Sequence, residues 1–198
     1  MSISPRLLHS VGAIDEYFNA GDYIFREDGT PQFYYQIEEG EIKLNSYNNE
    51  GKEFIQNIVS PGQCFGESML FLEKPYPVNA IALTECKILK ICREKFLTLL
   101  DIYPNIALDI CNALSETTYN KFVLMRKISS KNAVERLTEI MDLLKEPQEN
   151  KDKYTFEIRH TRQQLASLTG LCVETAIRAI KKMEGNKMLK IRNRKIYY

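Results

Sequence analysis

A chain of 198 residues, 44% hydrophobic and 27% charged, has the size of one large or two small globular domains with real cores. The net charge of +1 hides a split: residues 1–130 hold 12 basic and 17 acidic side chains (net −5), and residues 131–198 hold 15 and 9 (net +6). With no charged leader, no long apolar run, two histidines and five cysteines without a C-x-x-C pair, the composition argues against secretion, membrane spanning, a metal triad and a cluster.

In chain order, residues 5–18 are short and mixed, and no more than a leading helix or coil is expected there. From Gly21 the punctuation becomes regular, with Gly29, Gly40, Gly51 and Gly62 following at intervals of 8 to 11 residues. The segments between are rich in aromatic and β-branched residues, such as Phe33–Ile37. Ile42, Leu44 and Ser46 alternate with Lys43, Asn45 and Tyr47, and Asn48–Gly51 reads as a hairpin turn into a strand at Phe54–Val59. Val78–Ala82 and Lys87–Ile91 complete an antiparallel sandwich or jelly roll.

After Arg93 the period lengthens. A short helix is expected over Arg93–Leu100, and Pro104 ends it. Residues 105–128 contain neither Pro nor Gly, and Ile106, Ile110, Ala113, Thr117, Asn120 and Leu124 recur at alternating steps of four and three. That is an a/d-like seam on a helix of about 36 Å. It is longer than a small jelly roll can cover, so a homodimer paired through this seam is expected.

Ser129-Ser130 breaks the pattern and marks a hinge. Lys131–Lys145 reads as a helix with Val134, Leu137, Ile140, Met141 and Leu144 on one face, and a strand is expected over Tyr154–Ile158. Thr161 and Gln164 have capping-box spacing, and Gly170 can supply the positive φ of a sharp turn between helices. A second helix follows from about Cys172, with Val173, Ala176, Ile177 and Ile180 at apolar spacing and a cap at Gly185-Asn186. Glu174 and Arg178 lie one turn apart on it, ahead of Lys181 and Lys182. An acceptor beside a planar bidentate donor suits a cytosine amino group and a guanine edge in the major groove, although the same two residues also fit an ordinary surface ion pair. Two short strands flanking Asn193-Arg194 form a cationic wing.

The organisation expected is therefore α+β: a jelly roll over 1–104, a dimerisation helix and hinge over 105–129, and a winged helix-turn-helix over 130–198. This order resembles the Crp/Fnr family of transcription regulators across nearly the whole chain. Phe65-Gly66-Glu67 looks like the start of that family's phosphate-binding cassette, and Thr161–Ala166, Gly170, Glu174-Thr175 and Arg178 look like its helix-turn-helix. The resemblance implies double-stranded DNA as partner, RNA polymerase beyond it, a cytoplasmic location, no enzymatic activity and no resident cofactor.

On the same ground Glu174 and Arg178 are expected to read bases, with Val173 standing where some members have a second Arg and Ile177 counted with them. Arg162, Thr175 and Arg194 match backbone-contacting positions, and Lys181 and Arg192 join them. Cys172 stands where many members have a capping Ser, so a weaker cap is expected. A candidate effector pocket comprises Phe65, Gly66, Glu67, Ser68, Tyr76, Pro77, Lys121 and Phe122. Tyr76 falls where cyclic-nucleotide binders carry an Arg, and a phenol cannot neutralise a phosphate, so cAMP is not the expected effector, whose identity stays open. A small-ligand-binding module acting through protein contacts is the other reading of this order; the basic third and cationic wing favour DNA.

Overall fold

The computed structural model describes residues 3–128 and 132–198 apart from 147, 149 and 151, without the side chains of 120, 124 and 126–128. The hinge residues Ser129-Ser130 therefore lie outside the described residues. Two compact units are present, Met1–Thr118 and Tyr119–Tyr198.

The first unit begins with α1 (Pro5–Ser10), β1 (Ile14–Phe18), β2 (Tyr23–Phe25), β3 (Phe33–Glu39), β4 (Ile42–Tyr47) and β5 (Glu53–Val59). It continues through β6 (Cys64–Phe65), α2 (Glu67–Leu72), β7 (Asn79–Ala82), β8 (Cys86–Cys92) and α3 (Arg93–Ile102) into α4 (Pro104–Ile128). Two four-stranded antiparallel sheets result, ordered β1-β8-β3-β6 and β2-β7-β4-β5. Phe25, Tyr35, Ile37, Ile42, Val59, Phe65, Ala80 and Ile88 from both sheets fill the space between them.

The run Phe33–Ile37 lacks a clean alternation because its sheet is buried on both faces. Tyr35 and Ile37 point into the roll, whereas Tyr34, Leu89 and Ile91 pack beneath Leu8 of α1, Phe96 and Leu99 of α3 and Ile110 of α4. Gln36 faces the same helical layer, where its amide exchanges two 2.8 Å hydrogen bonds with the backbone of Ile3 and its Oε1 also accepts from Tyr34 Oη. A buried polar side chain is thereby satisfied.

Four sequence expectations need correction here. Ile14–Phe18 is a strand rather than coil: its Asp15 and Glu16 obscure the pattern but meet Lys87 and Lys90 of β8 as cross-strand ion pairs. The alternation along β4 fails at Asn45, which is fully buried, because a bulge between Leu44 and Asn45 shifts the register against β5. Asn45 instead donates to Glu53, and its carbonyl accepts from Asn79.

Along α4, Ile110 is 2% exposed and Ile106 packs beside it in the unit's own helical layer. Ile110 is therefore withdrawn from a dimer seam, since its own unit already covers it, whereas Ile106 is half-buried. Ala113 is half-buried and Thr117 exposed, while the side chain of Leu124 lies outside the described residues. Among the described side chains of α4, the large apolar ones left exposed are Leu108 in the first unit and Tyr119, Phe122 and Met125 in the second.

The second unit holds α5 (Ala133–Lys145), β9 (Glu157–Ile158), α6 (Arg162–Thr169), α7 (Val173–Gly185), β10 (Lys190–Arg192) and β11 (Lys195–Tyr197), with strand order β10-β11-β9. Asn132 caps α5, accepting from the Val134 amide at 3.0 Å. Leu137, Ile140 and Met141 of α5 meet Leu165 of α6 and Ala179, Ile180 and Met183 of α7 in one core closed by Ile158, Leu189 and Ile196. The fourth correction is the strand expected from Tyr154, which shortens to two residues because Tyr154 itself turns at φ 65°.

Candidate nucleic-acid interface

The helix-turn-helix forms as its local chemistry dictates. Thr161 Oγ1 accepts from the Gln164 amide at 3.1 Å, and Gln164 Oε1 accepts from the Thr161 amide at 2.8 Å, closing the capping box of α6. At the other end Gly170 adopts φ 66°, and the Leu171 amide returns to the Ala166 carbonyl at 2.9 Å. Arg136 Nη1 donates to the Thr169 carbonyl at 3.2 Å, fastening α5 to the turn.

On α7 the buried face is Ala176, Ala179, Ile180 and Met183. Val173 and Ile177, read as part of the apolar face, are half-buried, which leaves them at the margin beside the exposed Glu174 and Arg178. Cys172 is the N-cap and makes no capping hydrogen bond, in keeping with the substitution of a thiol for a hydroxyl. Its thiol is pulled below the ordinary cysteine range, first by the Thr175 hydroxyl. The helix runs through Gly185, and the left-handed residue that follows is Lys187 at φ 57°, not Gly185.

The wing is a tight hairpin. Arg192 pairs with Lys195, and the two turn residues Asn193 and Arg194 both have positive φ (49° and 65°), the type I′ geometry that matches strand twist. Three contacts tie it down, none visible in the residue pattern: Arg162 Nη1 donates to the Arg194 carbonyl at 3.3 Å, Glu184 Oε1 accepts from the Ile191 amide at 3.1 Å, and Lys195 pairs with Glu157 at 2.7 Å. Glu184 sits seven residues before Ile191, a separation at which neither helix nor hairpin periodicity announces a contact. Lys181, Arg192 and Arg194 are all exposed, and Arg162 is half-buried.

In the first unit Gly66 caps α2 at φ 77°, placing Glu67 at its first position and Ser68 next. A Cβ at Gly66 would meet Phe25 Cε1 at 3.1 Å and Tyr76 Cε1 at 3.2 Å, so glycine is required both for the turn and for the rings beside it. Tyr76 is 2% exposed and stacks on Phe25 with ring centroids 3.7 Å apart. Phe65 stacks on Tyr35 at 5.3 Å in the same cluster. Burial, and then the charge of Glu67, push the Tyr76 phenol up to about 12. Pro77 is exposed. Lys121 and Phe122 belong to the second unit, where both are exposed. Among the described residues no helix is long and apolar enough to cross a membrane.

Comparison with known proteins agrees with this geometry. The family model for the cyclic nucleotide-binding domain matches residues 15–103, and that for the Crp-like helix-turn-helix domain matches 135–198. The cAMP-activated global transcriptional regulator CRP of Haemophilus influenzae is 27% identical over 184 residues, covering 92% of this chain and 79% of its own. Two solved structures share the fold. The c-di-GMP responsive global regulator CLP of Xanthomonas campestris has a TM-score of 0.82 at 21% identity, covering 96% of this chain and 95% of that one. FixK2 of Bradyrhizobium japonicum has a TM-score of 0.78 at 18% identity, covering 93% and 91%.

Proposed function

The chain belongs to the Crp/Fnr family of transcription regulators, and from that premise we infer that it acts as a cytoplasmic homodimer on an inverted-repeat operator, working with RNA polymerase, and that its N-terminal domain does not take cAMP. Residues 1–104 would serve as the sensory domain, 105–129 as dimerisation helix and hinge, and 130–198 as the DNA-binding domain.

One observation carries the DNA reading: Glu174 and Arg178 stand exposed on α7, whose Glu184 is bonded to a wing bearing Arg192 and Arg194. Arg178 is assigned to a guanine and Glu174 to a cytosine amino group, with Val173 and Ile177 at the groove floor; Arg162, Lys181, Arg192 and Arg194 are assigned to the backbone. The dimer is assigned to the exposed stripe Leu108, Tyr119, Phe122 and Met125, because these large side chains, each more than 60% exposed, gain most from being covered by a second helix.

The cAMP reading follows from Tyr76. Of the other expected cradle residues, Phe65, Gly66 and Glu67 lie close to a ring that already fills the space against Phe25 with a neutral phenol. A cyclic phosphate would find no bidentate cation there.

Selection of bound sequences from random duplex DNA tests the whole reading. The expected product is an inverted repeat with half-sites about 34 Å apart. Arg178→Ala should flatten one symmetric position, Arg194→Ala should lower affinity for all sequences and reduce the salt slope by about one, and micromolar cAMP should change nothing. Equal weakening of every sequence by both variants, or a cAMP-dependent shift in affinity, would overturn the corresponding part.

A further inference from the structure

The first turn of α7 carries a chain of side-chain hydrogen bonds that the base-reading assignment leaves unused. Arg178 Nη2 donates to Thr175 Oγ1 at 3.3 Å, one turn back along the helix. Thr175 Oγ1 in turn lies 2.9 Å from Cys172 Sγ at the N-cap. Steps of three place all three side chains on one edge of the helix. The short side chain of Thr175 is half-buried and its hydroxyl is held by the contact with Cys172, whereas Arg178 is long and exposed. A hydroxyl has two lone pairs and one hydrogen; Arg178 uses one lone pair, and the contact with Cys172 orients the rotor. A guanidinium that gives one of its five N–H groups to Thr175 keeps four, enough for bidentate pairing with guanine O6 and N7.

We propose that Thr175 is a positioning residue for base readout, holding the Arg178 guanidinium against the first turn of α7 with Cys172 fixing the hydroxyl, rather than a phosphate contact. This rests on Arg178 reading a base, and it adds a specificity determinant that does not itself touch the base.

Competition binding of the full-length protein to its selected duplex tests it, with base-pair changes at the position that Arg178→Ala flattens. Thr175→Val keeps the β-branched shape and removes the hydroxyl; Thr175→Ser restores it. Losing one long, exposed hydrogen bond of ordinary strength should cut discrimination at that position about threefold to tenfold in Thr175→Val, while affinity for random DNA and the salt slope stay unchanged. Thr175→Ser should recover the wild-type preference.

If Thr175→Val weakens all duplexes equally and lowers the salt slope with discrimination intact, Thr175 is a phosphate contact and the proposal is wrong. Failure of Thr175→Ser to recover the preference overturns it as well. If Arg178→Ala flattens no position at all, the base-reading assignment fails first and positioning falls with it. That result differs from one in which Arg178→Ala flattens a position and Thr175→Val does not.

Discussion

Tyr76 offers the sharpest test of the first unit, because its ring and its hydroxyl act in opposite directions. The ring is buried and stacked on Phe25 at 3.7 Å, so Tyr76→Ala should remove a large side chain from a filled core at a cost of about 3–5 kcal/mol. The hydroxyl is buried with no hydrogen-bond partner among the described residues. Leaving such a group dry costs about 1–3 kcal/mol, so Tyr76→Phe should raise stability by about 1 kcal/mol, or roughly 4 °C in the melting of a unit this size. Alkaline pH gives an independent check. With the folded phenol pushed up to about 12, the unfolded chain ionises first, near its ordinary value of about 10. Stability conferred by this group is complete below about 10 and is lost as pH rises towards about 12. Tyr76→Phe should therefore show a shallower alkaline decline. Calorimetry from neutral to alkaline pH measures both effects. A Tyr76→Phe variant less stable than wild type by 1 kcal/mol or more would refute the reasoning, since the hydroxyl would then have to be bonded, for example to an internal water.

Three further outcomes follow from particular contacts. Ile110→Asp should unfold the first unit at a cost of about 3 kcal/mol or more, because the charge enters a closed core, whereas Phe122→Asp should leave melting intact and shift sedimentation towards monomer; similar melting for both would sink the revised seam. Thr161→Ala should lower the stability of the second unit in urea by about 1 kcal/mol through loss of its capping box, and an unchanged midpoint would show the cap to be idle. Iodoacetamide at neutral pH should modify exposed Cys172, whose thiol is lowered by the Thr175 hydroxyl, before Cys64, whose thiol burial raises to about 12; peptide mapping that found the reverse order would contradict both environments.

Local signals in the sequence were reliable where one residue type has one physical use. The Thr161–Gln164 box, the turn at Gly170 and the β4–β5 hairpin all form where the pattern places them. What was not legible depended on partners distant in the chain. β1 is recognisable only once Lys87 and Lys90 of β8 reach across diagonally to Asp15 and Glu16. Asn45 is buried because a bulge slips the register, and no alternation rule anticipates a slip. Along α4, spacing identified a helix with an apolar seam, yet it could not say whether the seam met another chain or the helical layer of its own unit. The candidate site divides in the same way: the exposed placement of Glu174 and Arg178 one turn apart on α7 is legible from helical spacing, while the ties through Glu184 and Arg162 depend on tertiary placement.

The aromatic cluster inside the roll also has an optical consequence. The chain contains 11 tyrosines, 9 phenylalanines and no tryptophan, so its near-ultraviolet dichroism and intrinsic fluorescence arise chiefly from tyrosine. Immobilised rings give that dichroism its strength, and it vanishes when tertiary packing loosens even if helices and strands persist. Tyr34, Tyr35 and Tyr76 are locked against Phe96, Phe65 and Phe25 within the first unit. A substantial part of the protein's natural spectroscopic signal is therefore a reporter of that unit alone. A single tryptophan introduced into α7 or the wing would emit against a dark background, so that events at the DNA-facing surface and events in the roll could be followed at separate wavelengths in the same sample.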